Sequence, residues 1–233
     1  MKTNTKWVLF YCGFSIAFLI AVQWISRTVT VISEYSPLQR AHTIVLDAGH
    51  GGEDGGACDG AGRPESSYNL EITLCLNDLL AFLGYNTALI RSTDISVYTK
   101  GDTVAQKKIS DLKERVRIVN ATDNAILISI HQNHFSDGRY HGAQVFYPKA
   151  GDSENLAKLL QTSLVTGINP GSRRAAKKSD GIYLMDHINC TGVLIECGFL
   201  SNREEAYRLS TKSYQQNLCC VIASTLSQYL SNT

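Results

Sequence analysis

The chain has 233 residues, with 22 lysines and arginines against 21 aspartates and glutamates, and is 44% hydrophobic and 18% charged. A formal net charge of +1 gives no ground for a nucleic-acid partner, and the hydrophobic content excludes a disordered polar chain. The length suits one sizeable core.

The N-terminus differs from the rest. Residues 1–40 hold Lys2, Lys6, Arg27 and Arg40 against the single acid Glu34. An uncharged run from Trp7 to Ile25 follows the two lysines, and its 19 residues approach the ~20 that span a bilayer. Basic residues ahead of it place the N-terminus inside and the domain outside. No small-x-small site follows the run, so an uncleaved anchor is favoured over a cleaved signal peptide. The expected organisation is an anchor or signal over 1–27, a spacer over 28–42 and one domain over 43–230, located outside the cytoplasm. The seven cysteines contain no CxxC pair and read mostly as small buried hydrophobes.

From residue 43 strands and helices alternate. TIVLDA (43–48) reads as a buried strand. SSYNLEITLCLNDLLAFLGY reads as a helix capped by Ser66 or Ser67, with Ile72, Leu76 and Leu80 at helical spacing and Gly84 as its stop. NTALIR (86–91) is a second strand, and 92–110 a surface loop. SDLKERVRIVNAT is a helix opened by Ser110 or Asp111. AILISI (125–130) and GAQVFYP (142–148) are strands, followed by the helix DSENLAKLLQTSLVTGI, a basic flexible loop over 170–181, the strand GVLIECGF (192–199) and a closing amphipathic helix, SYQQNLCCVIASTLSQYL. The expected fold is a single α/β domain. Its mixed, mostly parallel sheet is covered by helices on both faces.

Three strands end in residues that a structural strand does not need. IVLDAGHGG runs into His50 among glycines, AILISIHQN carries His131, and GVLIECGF carries Glu196; Glu65 adds a fourth candidate, between a Gly-rich loop and a helix. Sites of open α/β sheets gather where strands give way to loops. Two imidazoles and one carboxylate make a ligand set for catalytic Zn2+ with a fourth position open, and a second carboxylate can move protons. The residues alone leave open which glutamate is ligand and which is base. Asp47 either accepts an imidazole N–H or pairs with an arginine. Cys58 is a weak rival ligand, and His42, His141 and His187 are surface or structural.

The stretches IVLDAGHGGEDGGA, ESSYNLEITLCLNDLL, LIRSTD, DLKERVRIVNA, ILISIHQNHF, GAQVFYP and VLIECGFLSN resemble, in order, the zinc-dependent N-acetylmuramoyl-L-alanine amidases of the cell-wall amidase type 3 class. The resemblance covers residues 43–230. It implies zinc held by His50, Glu65 and His131, Glu196 as the catalytic carboxylate, and cleavage of the amide between N-acetylmuramic acid and L-alanine in peptidoglycan. Ser66 stands where the family often has Lys, and His134 where a small residue is usual. The short chain, the single N-terminal segment and the absence of a wall-binding repeat resemble the sporulation amidases that begin muramic-δ-lactam formation in the spore cortex. Arg173, Arg174, Lys177 and Lys178 either meet stem-peptide carboxylates or form a solvated loop. Two other readings are a zinc peptidase or deacetylase of the wall, and a wall-binding module active only with an activating protein partner.

Overall fold

The structure, a computed structural model, describes residues 14–23 and 41–232. Residues 14–23 are helical and exposed. Among the described residues no helix is long and apolar enough to cross a membrane. Trp7, Trp24, most of the spacer and Cys12 lie outside the described residues.

Residues 41–232 form one α/β domain around a six-stranded sheet. The strands are β1 (Thr43–Ala48), β2 (Asn86–Leu89), β3 (Ala125–Asn133), β4 (Gln144–Tyr147), β5 (Lys177–Lys178) and β6 (Thr191–Phe199), ordered β2-β1-β3-β6-β4-β5. β2, β1, β3 and β6 are parallel neighbours, whereas β4 runs antiparallel to β6 and carries β5 parallel to itself. The sheet is therefore mixed and mostly parallel, as expected. The helices are α1 (Glu65–Phe82), α2 (Val104–Asn120), α3 (Ser153–Gly167), α4 (Tyr183–His187), α5 (Arg203–Leu209) and α6 (Lys212–Ser231).

The central strands are apolar on both sides because both sides are covered. Ile44, Leu46, Ile126, Ile128, Val193 and Ile195 join the cluster formed with α1, α3 and α6. Val45, Leu127 and Leu194 belong to the cluster that includes Val119 of α2 and Leu184 of α4. Side chains such as Leu76, Leu160 and Leu226 are fully buried, each contributing roughly 1.5–3 kcal/mol.

Several boundaries differ from expectation. α1 starts after Pro64 without a side-chain cap. Its first amides, of Glu65 and Ser66, donate instead to the carbonyls of Ala57 and Gly55 at 2.7 and 3.0 Å, so neither serine is needed as a cap. Its end follows expectation: Gly84 has φ 87°, and Tyr85 N and Gly84 N bond the carbonyls of Leu80 and Ala81, closing a Schellman turn. α2 begins six residues before Ser110, at a reciprocal capping box of Thr103 and Gln106. Ser110 Oγ and Asp111 Oδ1 instead accept the backbone N–H groups of Thr99, Lys100 and Val97 and tie down the preceding loop. The 170–181 loop contains β5 and the buried Ser179. The short helices α4 and α5 lie in stretches to which the sequence assigned no element. Of the six described cysteines, all free, only Cys197 and Cys219 are buried. Cys58 lies in an exposed loop and Cys220 on the outer side of α6, so the reading of the cysteines as mostly buried is corrected.

Candidate active site

β1 exits into the loop that carries His50, α1 begins with Glu65, and β3 and β6 carry His131 and Glu196 as register partners on neighbouring parallel strands. One donor atom each from His50, Glu65 and His131 lies within 4.8 Å of the others. His50 Nε2 is 3.3 Å from Glu65 Oε2, and His131 Nδ1 is 3.0 Å from Glu65 Oε1. The two imidazoles meet edge to face, with centroids 5.0 Å apart.

Glycine makes room for this. A Cβ on Gly49 would lie 2.1 Å from His131 Nε2, and one on Gly56 would lie 2.6 Å from Glu65 Oε2. Only backbone fits against these two side chains. His50 itself has φ 60°, a left-handed conformation uncommon for a residue with a Cβ.

Partners outside the cluster fix its side chains. Asp54 Oδ2 lies 3.0 Å from His50 Nδ1 and 3.1 Å from Lys108 Nζ, which leaves His50 Nε2 facing Glu65. Asn69, one helical turn beyond Glu65, donates to Glu65 Oε1 and to the Gly49 carbonyl, both at 3.1 Å. The amides of Ala57 and Gln132 also donate to the Glu65 carboxylate. Asp47 does not reach His50. It pairs with buried Arg115 and accepts from Ser129 Oγ at 2.6 Å, so of its two expected roles the arginine partner is the one found. Arg91, also buried, donates to the carbonyls of Ala48, Gly49 and Ser66 and so joins the His50 loop to the start of α1.

The charges are strongly biased. Burial alone would raise Glu65, but hydrogen bonds from His131 and His50 outweigh it and hold its carboxyl far below the usual range. Burial alone would lower His50, yet its contacts with Glu65 and Asp54 raise it. Burial pushes Glu196 up to about 7; His131 opposes the shift and Glu65 adds to it. Glu196 Oε2 is buried with no hydrogen-bond partner. A buried, unpaired carboxyl oxygen with an affinity for protons near neutrality suits a proton carrier.

The two imidazole nitrogens and the carboxylate oxygen fit a divalent transition ion, zinc by donor type. Cys58 is not in the cluster. His134 is exposed, and His42, His141 and His187 bond only backbone carbonyls. Sequence reasoning did not single out Asp54, Asn69, Arg91 or Arg115. Only Asn69 left a signal, its i+4 spacing from Glu65 on a helix.

The profile of the N-acetylmuramoyl-L-alanine amidase family matches residues 44–228. The germination-specific N-acetylmuramoyl-L-alanine amidase of Bacillus subtilis is 33% identical over 98% of this chain and 96% of its own length. The CwlD amidase of Clostridioides difficile, solved in complex with the GerS lipoprotein, is 39% identical over 82% of this chain and 100% of that one, with a TM-score of 0.79. An N-acetylmuramoyl-L-alanine amidase of Clostridium difficile 630 is 26% identical over 83% of this chain and 99% of that one, with a TM-score of 0.72. These matches span the whole α/β domain and all four strand-end and loop residues, and the chain belongs to the N-acetylmuramoyl-L-alanine amidase family.

Proposed function

We propose that His50, Glu65 and His131 hold a zinc ion and that Glu196 is the acid–base carboxylate of an amidase acting on the spore cortex. The reaction follows from the family: the chain is a hydrolase that cleaves the amide between N-acetylmuramic acid and the L-alanine of the stem peptide. The observation that carries the assignment of residues is the set of three donors within 4.8 Å beside a buried, unpaired Glu196 oxygen.

Zinc, when bound, supplies Lewis acidity that makes water a nucleophile near neutral pH and polarises a carbonyl. Everything else comes from the chain. Asp54 orients His50, and Asn69 holds the Glu65 carboxylate. Glu196 accepts a proton from the attacking water and returns it to the nitrogen leaving as the α-amine of L-alanine. The carbon–nitrogen bond breaks, and the lactyl group departs as a carboxylate.

The cortex role is supported by likeness to germination-specific and sporulation-specific amidases of Bacillus subtilis. A site outside the cytoplasm, with the chain anchored by its N-terminal segment, is supported by Lys2 and Lys6 ahead of an uncharged apolar run. A protein partner is supported by the lipoprotein bound to the Clostridioides difficile relative.

Mass spectrometry of muropeptides after digestion of cortex, with and without a chelator, tests this reading. The expected products are free stem peptides beginning at L-alanine, formed only without chelator and restored by zinc. Cleavage elsewhere in the stem, or cleavage indifferent to the chelator, would overturn it.

A further inference from the structure

A cleft of about 960 Å³ includes Leu200 in its wall, four residues beyond Glu196. Its walls are the connections that carry the four residues. Asp59 and Arg63 lie in the loop before Glu65, His134 and Phe135 follow His131, and Arg203 and Tyr207 follow Glu196. With His134 three residues beyond His131 and Leu200 four beyond Glu196, the cleft is within reach of one arm of a substrate whose amide lies at Glu196.

The two arms of the substrate differ in charge. The lactyl carboxyl of N-acetylmuramic acid is tied up in the scissile amide, so the glycan arm is neutral. The free carboxylates are on the peptide. Most charges of the cleft wall are already committed. Asp59 accepts from the amides of Ala61 and Arg63 and from Tyr68 Oη at 2.6 Å. Arg63 pairs with Glu71 at 2.6 Å and stacks over the Tyr68 ring. Arg203 differs. It is exposed, and among the described residues its guanidinium has no carboxylate partner. It is the first residue of α5, where the helix field favours acids over cations, so the helix itself does not require it. Tyr207 lies one turn further along α5 and is 71% exposed, and Phe135, across the cleft, is 50% exposed. These rings offer apolar surface beside one free guanidinium, a combination that suits a short acidic peptide better than a neutral sugar chain.

We propose that this cleft is the stem-peptide subsite and that Arg203 binds a carboxylate of the stem; the proposal rests on the amidase reading. Arg203 acts on binding and not on the chemical step. The test uses two matched peptidoglycan strands, one with free stem carboxylates and one with the same groups converted to carboxamides, and the zinc-loaded full chain. KM for the free-carboxylate strand is expected to be about three- to tenfold lower than for the amidated strand, the range for one partly exposed charge-assisted contact. Arg203→Gln brings both strands to the amidated value with kcat unchanged, and Arg203→Lys keeps part of the preference. Arg173→Gln, which removes an exposed arginine outside this cleft, leaves the preference intact. A preference that survives Arg203→Gln, or that Arg173→Gln abolishes, overturns the subsite while the amidase reading stands. Release of no stem peptide from either strand overturns both.

Discussion

Arg115 buries its guanidinium against the Asp47 carboxylate and holds the carbonyls of Ala48 and His50 at 2.9 and 2.7 Å. The pair lies at the base of the loop that presents the first proposed ligand. Asp47→Asn leaves the arginine without its main counter-charge, and breaking such a buried pair costs about 3–5 kcal/mol. A domain of this size then melts about 6–20 °C lower. Burial alone would raise Asp47, but Arg115, with His131 and the Ser129 hydroxyl, outweighs it and the carboxyl is held below its usual value of 3.8. The pair's contribution is therefore present in full above the unfolded carboxyl value and is lost as pH falls through the lower folded one. Denaturant midpoints of both proteins from pH 7 to pH 2 check this. A gap between them that fails to shrink at the acid end would be the wrong result.

Asp54→Asn removes the carboxylate that orients His50. Loss of such an outer partner costs about 10–100-fold in metal affinity. Competition with a zinc chelator measures it directly, and unchanged affinity would show that His50 is held by other means.

Gly49→Ala places a methyl group where the His131 ring lies, 2.1 Å from Nε2. The ring must move, because Gly49 is held against β3 by the bond from its amide to the Ile130 carbonyl. Overpacking of this kind costs about 1–3 kcal/mol, so the domain is expected to fold and to bind less than one zinc per chain. Metal analysis of the purified variant, alongside its melting curve, separates loss of the site from loss of the fold; full zinc content would contradict the packing argument.

The residues a sequence shows most readily are those with a period or a boundary. β1, β3 and β6 stood out because Ile44–Leu46, Ile126–Ile130 and Val193–Ile195 are apolar on both faces, and His50, His131 and Glu196 because they end such runs. The start of α2 was misplaced for a physical reason. Val104 and Ile109 are 60% and 54% exposed, so the first turns carry no inward stripe, and Ser110 and Asp111 resemble caps while serving the loop before them. α4 and α5 span five and seven residues, too short for a 3.6-residue period to show. Arg91 and Arg115 act through contacts 42 and 68 positions away in sequence, which no local pattern encodes, and Asp54 meets His50 across a loop with no helical period.

Glu196→Gln keeps the shape of the side chain and removes its ability to carry a proton. Turnover is expected to fall by at least about 100-fold, the low end of what a positioned acid–base group supplies, with zinc content unchanged. Residual activity near that of the parent would assign proton transfer to another group. His50→Ala and His131→Ala are expected to lose metal as well as turnover.

The sheet ends at β5, two residues long, and both of them are exposed lysines. A further strand from another molecule would find almost no free ladder there and would meet two like charges along it. The border nearest β4 is thereby closed to edge-to-edge growth, a safeguard against aggregation for a domain whose central strands carry long aliphatic runs.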